Sequence, residues 1–245
     1  MRRTLLVLEP ISLVAVFAAM ALSAYFHVEQ AALLTAAVAV LALLPFFLRV
    51  EMERPRPRDI MPIAVLAAVA AGGRILFGPV PNFQPVTAVV ILAGVCFGRQ
   101  SGFLTGALAA LASNLFFGQG AWTPWQMYAW GLAGYLAGVL KAASLFRRNI
   151  AVYCYGAAVS MLYGFIMDTW FWVGFLGEAG TGGAAAAYLA GLPFNLIHAA
   201  STVFFLLLVL TPWGKKLERV KKKYGVAEFG TEEEAPTGSA IRRSR

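Results

Sequence analysis

The chain has 245 residues, 60% of them hydrophobic and only 13% charged, with a formal net charge of +8. A solvated globular surface needs roughly a quarter of its residues charged, so this composition excludes an ordinary water-soluble domain and points to a bilayer. The excess of Lys and Arg falls in alternate loops between the apolar spans, and so on one side, which reads as membrane sidedness and not as a nucleic-acid surface.

A hydrocarbon core about 30 Å thick takes on the order of 20 apolar residues per helix. On that measure the chain predicts an all-α integral membrane fold of eight spans, at 5–25, 31–48, 60–77, 85–97, 102–117, 125–145, 150–175 and 188–210. The fourth and fifth are short, which a membrane tolerates where neighbouring helices cover the backbone. The opening MRR, apolar run and ALSA have the layout of a secretory signal, but Glu9 and Pro10 interrupt the run early and it is long for one, so a retained helix is expected. Residues 1–48 then form a transmembrane hairpin and 49–58 a Pro/Arg/Glu-rich cytoplasmic connector. Residues 59–215 form a six-helix core, and 216–245 a tail that is first basic and then disordered.

With both termini in the cytoplasm, Arg2, Arg3, Arg49, Arg54, Arg56, Arg58, Arg99, Lys141, Arg147, Arg148 and the basic cluster at 215–223 share one side, and Arg74 alone departs. The opposite side carries HVEQ, GPVPNFQ, GQGAWTPWQ and GEAGTGGA. Cys96 and Cys154 lie within spans toward the cytoplasmic side, and no disulfide framework is implied.

In chain order, the first core span repeats small residues at Ala64, Ala68 and Gly72, with Ala67 and Ala71 making a second row. Such a flat side lets another backbone approach, whether a partner's or a neighbouring helix of the same chain. Arg74 lies one turn from the outer end of that span. In PNFQP the prolines disfavour helix and hold Asn82 and Gln84 on an extended segment, where both amides can donate and accept. Gly102, Gly106 and Ala110 form another small-residue ladder that Asn114 continues, facing neighbours and not lipid. In GQGAWTPWQ, Thr123 reads as a helix cap and Pro124 as the first helical residue, so Trp122, Trp125 and Gln126 cluster at a helix start. They suit either solute contact or an interfacial aromatic belt.

Asp168 sits inside its span and Glu178 follows in the next outer loop. An ionisable residue in a bilayer is a candidate functional group, and an Arg74–Asp168 pair would neutralise both at the edge of a pocket. Asn195 and His198 share a helical face that would line the same cavity. The candidate solute-binding set is therefore Arg74, Asn82, Gln84, Asn114, Trp122, Trp125, Gln126, Asp168 and Asn195. No H-E-x-x-H metal site, P-loop or G-x-S-x-G elbow occurs, so no metal, cofactor or catalytic residue is expected. The rival readings are an intramembrane hydrolase using Ser160, His198 and Asp168, or a structural membrane protein without ligand.

Three segments, PNFQPVTAVVILAG, SGFLTGALAALASNLFFGQGAWTPWQMYAWGLAGYLAG and MDTWFWVGF, carry a likeness to a known family. Over residues 59–215 the chain resembles the substrate-binding S component of energy-coupling-factor (ECF) vitamin transporters, closest to the subgroup assigned to cobalamin. The resemblance implies six helices, cytoplasmic termini, a pocket open to the outside of a prokaryotic plasma membrane, and docking on a T component coupled to two ATPases. ATP would then be used by those partners alone. In that family an A-x-x-x-A pattern on the first core helix meets the T component, and Ala64/Ala68 or Ala67/Ala71 match it. The leading hairpin lies outside the six-helix pattern.

Overall fold

The computed structural model describes residues 2–26, 31–53 and 55–226, and every regular element among them is helical. Helices α1 (Arg2–Phe26) and α2 (Ala31–Glu53) precede α3 (Pro57–Leu76), α4 (Val86–Phe117), α5 (Thr123–Ala142) and α6 (Asn149–Phe171). A π-helical turn (Trp172–Leu176) and a 3-10 turn (Gly177–Ala179) lead into α7 (Gly180–Tyr224). Four stretches, Pro57–Leu76, Val86–Phe117, Asn149–Leu176 and Gly180–Tyr224, are long and apolar enough to cross a membrane. Large apolar side chains stand exposed on the outer helices, among them Met61, Val65, Leu115, Phe116, Leu189, Leu196 and Leu207. An apolar surface of this kind has lipid as its solvent, and the protein is membrane-embedded.

The spans expected at 85–97 and 102–117 are two arms of one continuous element, with no loop at 98–101. The whole turn is taken by Gly98 at φ 87°, ψ 172°, a backbone conformation that side-chain-bearing residues rarely adopt. The arms fold back on each other: a methyl added at Gly102 would lie 2.7 Å from Gly94 Cα. In a straight helix, residues eight apart are about 12 Å apart. Helix α5 lies against this junction backbone to backbone, since a methyl on Gly134 would run into Gly102 C and one on Gly138 into Arg99 N. The small-residue ladder is thus spent on α4–α5 packing, and these two helices form the buried centre.

Three expected boundaries shift. Helix takes up much of the connector expected at 49–58, because α2 continues to Glu53 and α3 begins at Pro57. Arg56 caps α3 in extended conformation (φ −65°, ψ 148°), as a residue before proline must, and Pro57 opens the helix where its missing N–H costs nothing. The outer loop expected after residue 175 is largely helical, with α7 starting at Gly180, and the basic cluster at 215–223 is its last turns and not the start of a tail. Lys221 Nζ donates to Cys96 O at 3.1 Å, anchoring that end on α4, and Gly225 terminates it in the left-handed region. The expected HVEQ turn at 27–30 and the tail at 227–245 lie outside the described residues.

The leading hairpin packs on the centre of the molecule. Phe46 stacks on Phe103 with ring centroids 3.5 Å apart and meets Tyr135 edge-on. Tyr128 donates its hydroxyl to Leu13 O at 2.7 Å. Glu9, Arg49, Gln100 and Lys221 mark one end of the bundle, and the turns before α4 and α5 mark the other. Along the second arm of α4, Gln100 and Asn114 are separated by about 21 Å of helix rise.

Candidate functional site

At the end away from the basic cluster, α3, α4 and α5 converge on a cation held by neutral groups. Arg74 Nη1 donates to Ser113 Oγ and to Asn114 Oδ1, both at 2.7 Å. The guanidinium carbon lies 4.9 Å from the Phe117 ring centroid and 5.0 Å from that of Trp130, within cation–π range. Asn114 is fully buried, and its Nδ2 donates to Thr123 Oγ1 at 3.0 Å and Gln126 Oε1 at 2.8 Å. Those two acceptors fix which way the amide points, so its oxygen is aimed at Arg74.

A second tier lies beneath. Trp130 Nε1 donates to Thr87 Oγ1 at 3.1 Å, and Thr87 shares a 2.8 Å hydrogen bond with His198 Nε2. Tyr163 stacks on Trp130 at 4.7 Å and meets His198 edge-on at 4.9 Å. These contacts tie α6 and α7 to the same region. On the loop before α4, Ser201 Oγ accepts from Gln84 N at 2.8 Å and donates to Gln84 O at 3.1 Å.

Of the residues expected at a solute site, Arg74, Asn114 and Gln126 are brought together. Gln84 is buried close to α7. Asn82 takes a left-handed conformation (φ 58°) in a turn, not the extended form expected, and asparagine tolerates this better than most residues. Trp122 is 37% exposed at the rim. Trp125 is fully buried, and its indole Nε1 has no hydrogen-bond partner among the described residues. It is therefore not a belt residue at the surface. Trp122 and not Thr123 is the N-cap of α5; the Thr123 hydroxyl accepts from Asn114 and from Gly120 N instead.

The expected Arg74–Asp168 pair does not form. Asp168 Oδ2 accepts from Asn195 Nδ2 at 2.7 Å across the α6–α7 interface, and Gly191 leaves the space its carboxylate fills. Asn195 is consequently committed to Asp168 and does not join His198. The three residues of the hydrolase alternative are likewise separate: Ser160 bonds Gly156 O and Thr202 Oγ1, His198 bonds Thr87, and Asp168 bonds Asn195. The two alanine rows on α3 also differ. Ala67 and Ala71 are buried inside the bundle, whereas Ala64 and Ala68 are exposed.

Ser113, Thr87, Trp130 and Tyr163 complete the site and were missing from the sequence reading, although Ser113 adjoins Asn114. A second polar cluster at the opposite end was missed outright. Glu9 Oε1 lies 2.8 Å from Arg49 Nε, and Gln100 Nε2 donates to Glu9 Oε2. Glu9 is 0% and Arg49 1% exposed, and Arg49 Nη1 and Nη2 have no hydrogen-bond partner among the described residues. The signals were there, in the acid that interrupts α1 and the arginine at the edge of α2.

The sequence profile of a family described as a family of unknown function (DUF6580) matches residues 54–219. The match begins just before α3 and ends in the last turns of α7, leaving α1 and α2 outside. No curated protein and no solved structure matches the chain.

Proposed function

We propose, for a chain that belongs to the DUF6580 family of unknown function, the role of substrate-binding membrane subunit of an ECF-type importer. In this reading the two arms of α4 count separately, giving eight passes of a prokaryotic plasma membrane with both termini in the cytoplasm. A water-soluble vitamin, with cobalamin the first candidate, is bound from outside. A T component and two ATPases supply the work, and the protein needs no cofactor of its own.

The observation that supports this reading is the cluster of half-buried Arg74 with buried Asn114 and Gln126, which gathers a cation and two amides from three helices at the end away from the basic residues. Buried polar groups in a bilayer are costly, and solute pathways are where they are retained. The test is mass spectrometry of solutes that co-purify with the detergent-extracted protein, followed by calorimetric titration. Saturable binding of cobalamin is expected. Tight binding of a different vitamin would reject only the substrate, whereas well-folded protein that binds none would reject the transporter reading.

The exposed row on α3 is the proposed T-component surface. Ala64 and Ala68 are flanked by exposed Met61 and Val65, so one flat strip of α3 is left uncovered by the chain itself. Replacing both with Leu should abolish ATP-driven uptake in reconstituted vesicles while solute affinity stays within about two-fold, a change under 0.5 kcal/mol. The corresponding Leu pair at Ala67 and Ala71 should instead lower thermal stability, because overpacking a buried site costs about 1–3 kcal/mol. Lost binding with intact complex assembly in the Ala64/Ala68 variant would assign that row to internal packing.

A further inference from the structure

Arg74 is a cation in a membrane-embedded bundle with no carboxylate partner among the described residues, since Asp168 is committed to Asn195. An arginine this near a helix end commonly reaches outward to the headgroups, keeping its charge in water. Arg74 does the reverse: its Nη1 is held by Ser113 and Asn114, both fully buried, and two aromatic rings flank its guanidinium. Neutral acceptors hold the group in place without cancelling its charge. The positive charge is left for something else to balance.

The way the five N–H groups are used says what that partner is. Nη1 is fully spent on Ser113 and Asn114, while Nε and Nη2 make no hydrogen bond to the described residues and are not sealed away. Nε and Nη2 form one edge of the planar guanidinium, the edge that takes two oxygens of a carboxylate or phosphate side by side. Asn114, itself fixed by Thr123 and Gln126, orients the opposite side of the group. The fork is therefore set in position before any ligand arrives.

Building on the transport reading above, we propose that the solute carries an anionic oxygen group, carboxylate or phosphate, which docks two-pronged on the Nε/Nη2 edge of Arg74. In cobalamin that group is the phosphodiester. The same edge would also accept the phosphate of a lipid headgroup, so the experiment must separate the two sources.

The full chain in phosphatidylcholine nanodiscs is titrated with pairs that differ in the anion: cobalamin and cobinamide, which lacks the phosphodiester, nicotinate and nicotinamide, pantothenate and panthenol, and riboflavin 5′-phosphate and riboflavin. At least one anionic member should bind about ten-fold or more tightly than its partner. Arg74→Gln should erase that preference, and Arg74→Lys, which keeps the charge but not the fork, should retain only part of it. The paired ligands test the wild-type protein, so the result stands even if Arg74→Gln fails to fold. A neutral member that binds as well as its anion, unaffected by Arg74→Gln, would overturn the anion site and leave the transport reading standing. Absence of binding by every pair, with no Arg74-dependent lipid retained either, would overturn both. Added phosphatidylglycerol provides the last arm: its Arg74-dependent retention in native mass spectrometry, with no soluble anion bound, would support the anion chemistry and reject a solute as its source.

Discussion

Glu9→Gln should lower the stability of the protein by about 3–5 kcal/mol, the cost of leaving one member of a buried ion pair without its counter-charge. Glu9 and Arg49 are both fully buried and 2.8 Å apart, and the two Arg49 amino groups have no other hydrogen-bond partner among the described residues. Removing the carboxylate's charge leaves a guanidinium that cannot lose its proton with only the more distant Glu53, whose Oε1 lies 3.9 Å from Arg49 Nε. Arg49→Met should cost less, because the lone Glu9 carboxyl can take up a proton and become neutral. The double variant Glu9→Leu/Arg49→Met should recover most of the loss, since a well-packed apolar pair of similar volume is often no less stable than the ions it replaces. Cys96, a buried free thiol on α4, provides the readout once the exposed Cys154 is replaced by Ser in every variant: its reaction with a thiol-reactive dye on heating reports unfolding of the core. Equal midpoints for wild type and Glu9→Gln would show that the pair does not hold α1 to α2.

Asn114→Leu should be the most damaging single change at the outer end, lowering stability by about 3 kcal/mol or more and abolishing solute binding. Asn114 accepts from a charged donor and donates twice to neutral acceptors, all without water. A bond to a charged group contributes about 1.5–3 kcal/mol and a neutral one about 1, and Leu also takes the Asn114 donor from the buried Gln126 Oε1, while Thr123 Oγ1 keeps the one from Gly120 N. Asn114→Asp is the informative companion: it keeps the shape and supplies a full counter-charge to Arg74. If Arg74 awaits an anion from the ligand, Asn114→Asp should keep its fold, with the Gln126 amide turned over and the Thr123 hydroxyl rotated so that each donates to the new carboxylate, and yet bind solute poorly, because the charge is already cancelled. Thermal midpoint and titration on the same preparation separate the two effects. Unchanged solute affinity in Asn114→Asp would mean that Arg74 serves packing alone.

Much of the architecture was readable in the chain. Sustained apolar runs require helices in a bilayer, since no other open structure satisfies its own backbone there. The glycines at 102 and 106 and the Asn114 that follows them marked a face directed at protein, and that face is the α4–α5 contact. Partnership was not readable. Opposite charges at Arg74 and Asp168 suggested each other, but α3 turns Arg74 onto Ser113 and Asn114 while α6 gives Asp168 to Asn195. Both alanine rows on α3 looked equally free, and only the packed bundle buries Ala67 and Ala71 and leaves Ala64 and Ala68 exposed. Composition along the chain therefore determined that this is an all-helical membrane protein and which residues are out of place in lipid. In water the apolar face of a helix also says which way it turns, but in a bilayer the lipid-facing and protein-facing sides are both apolar. The rotation of each helix, and with it the partner of every buried polar group, was decided by contacts between residues up to more than a hundred positions apart, such as Thr87 with His198.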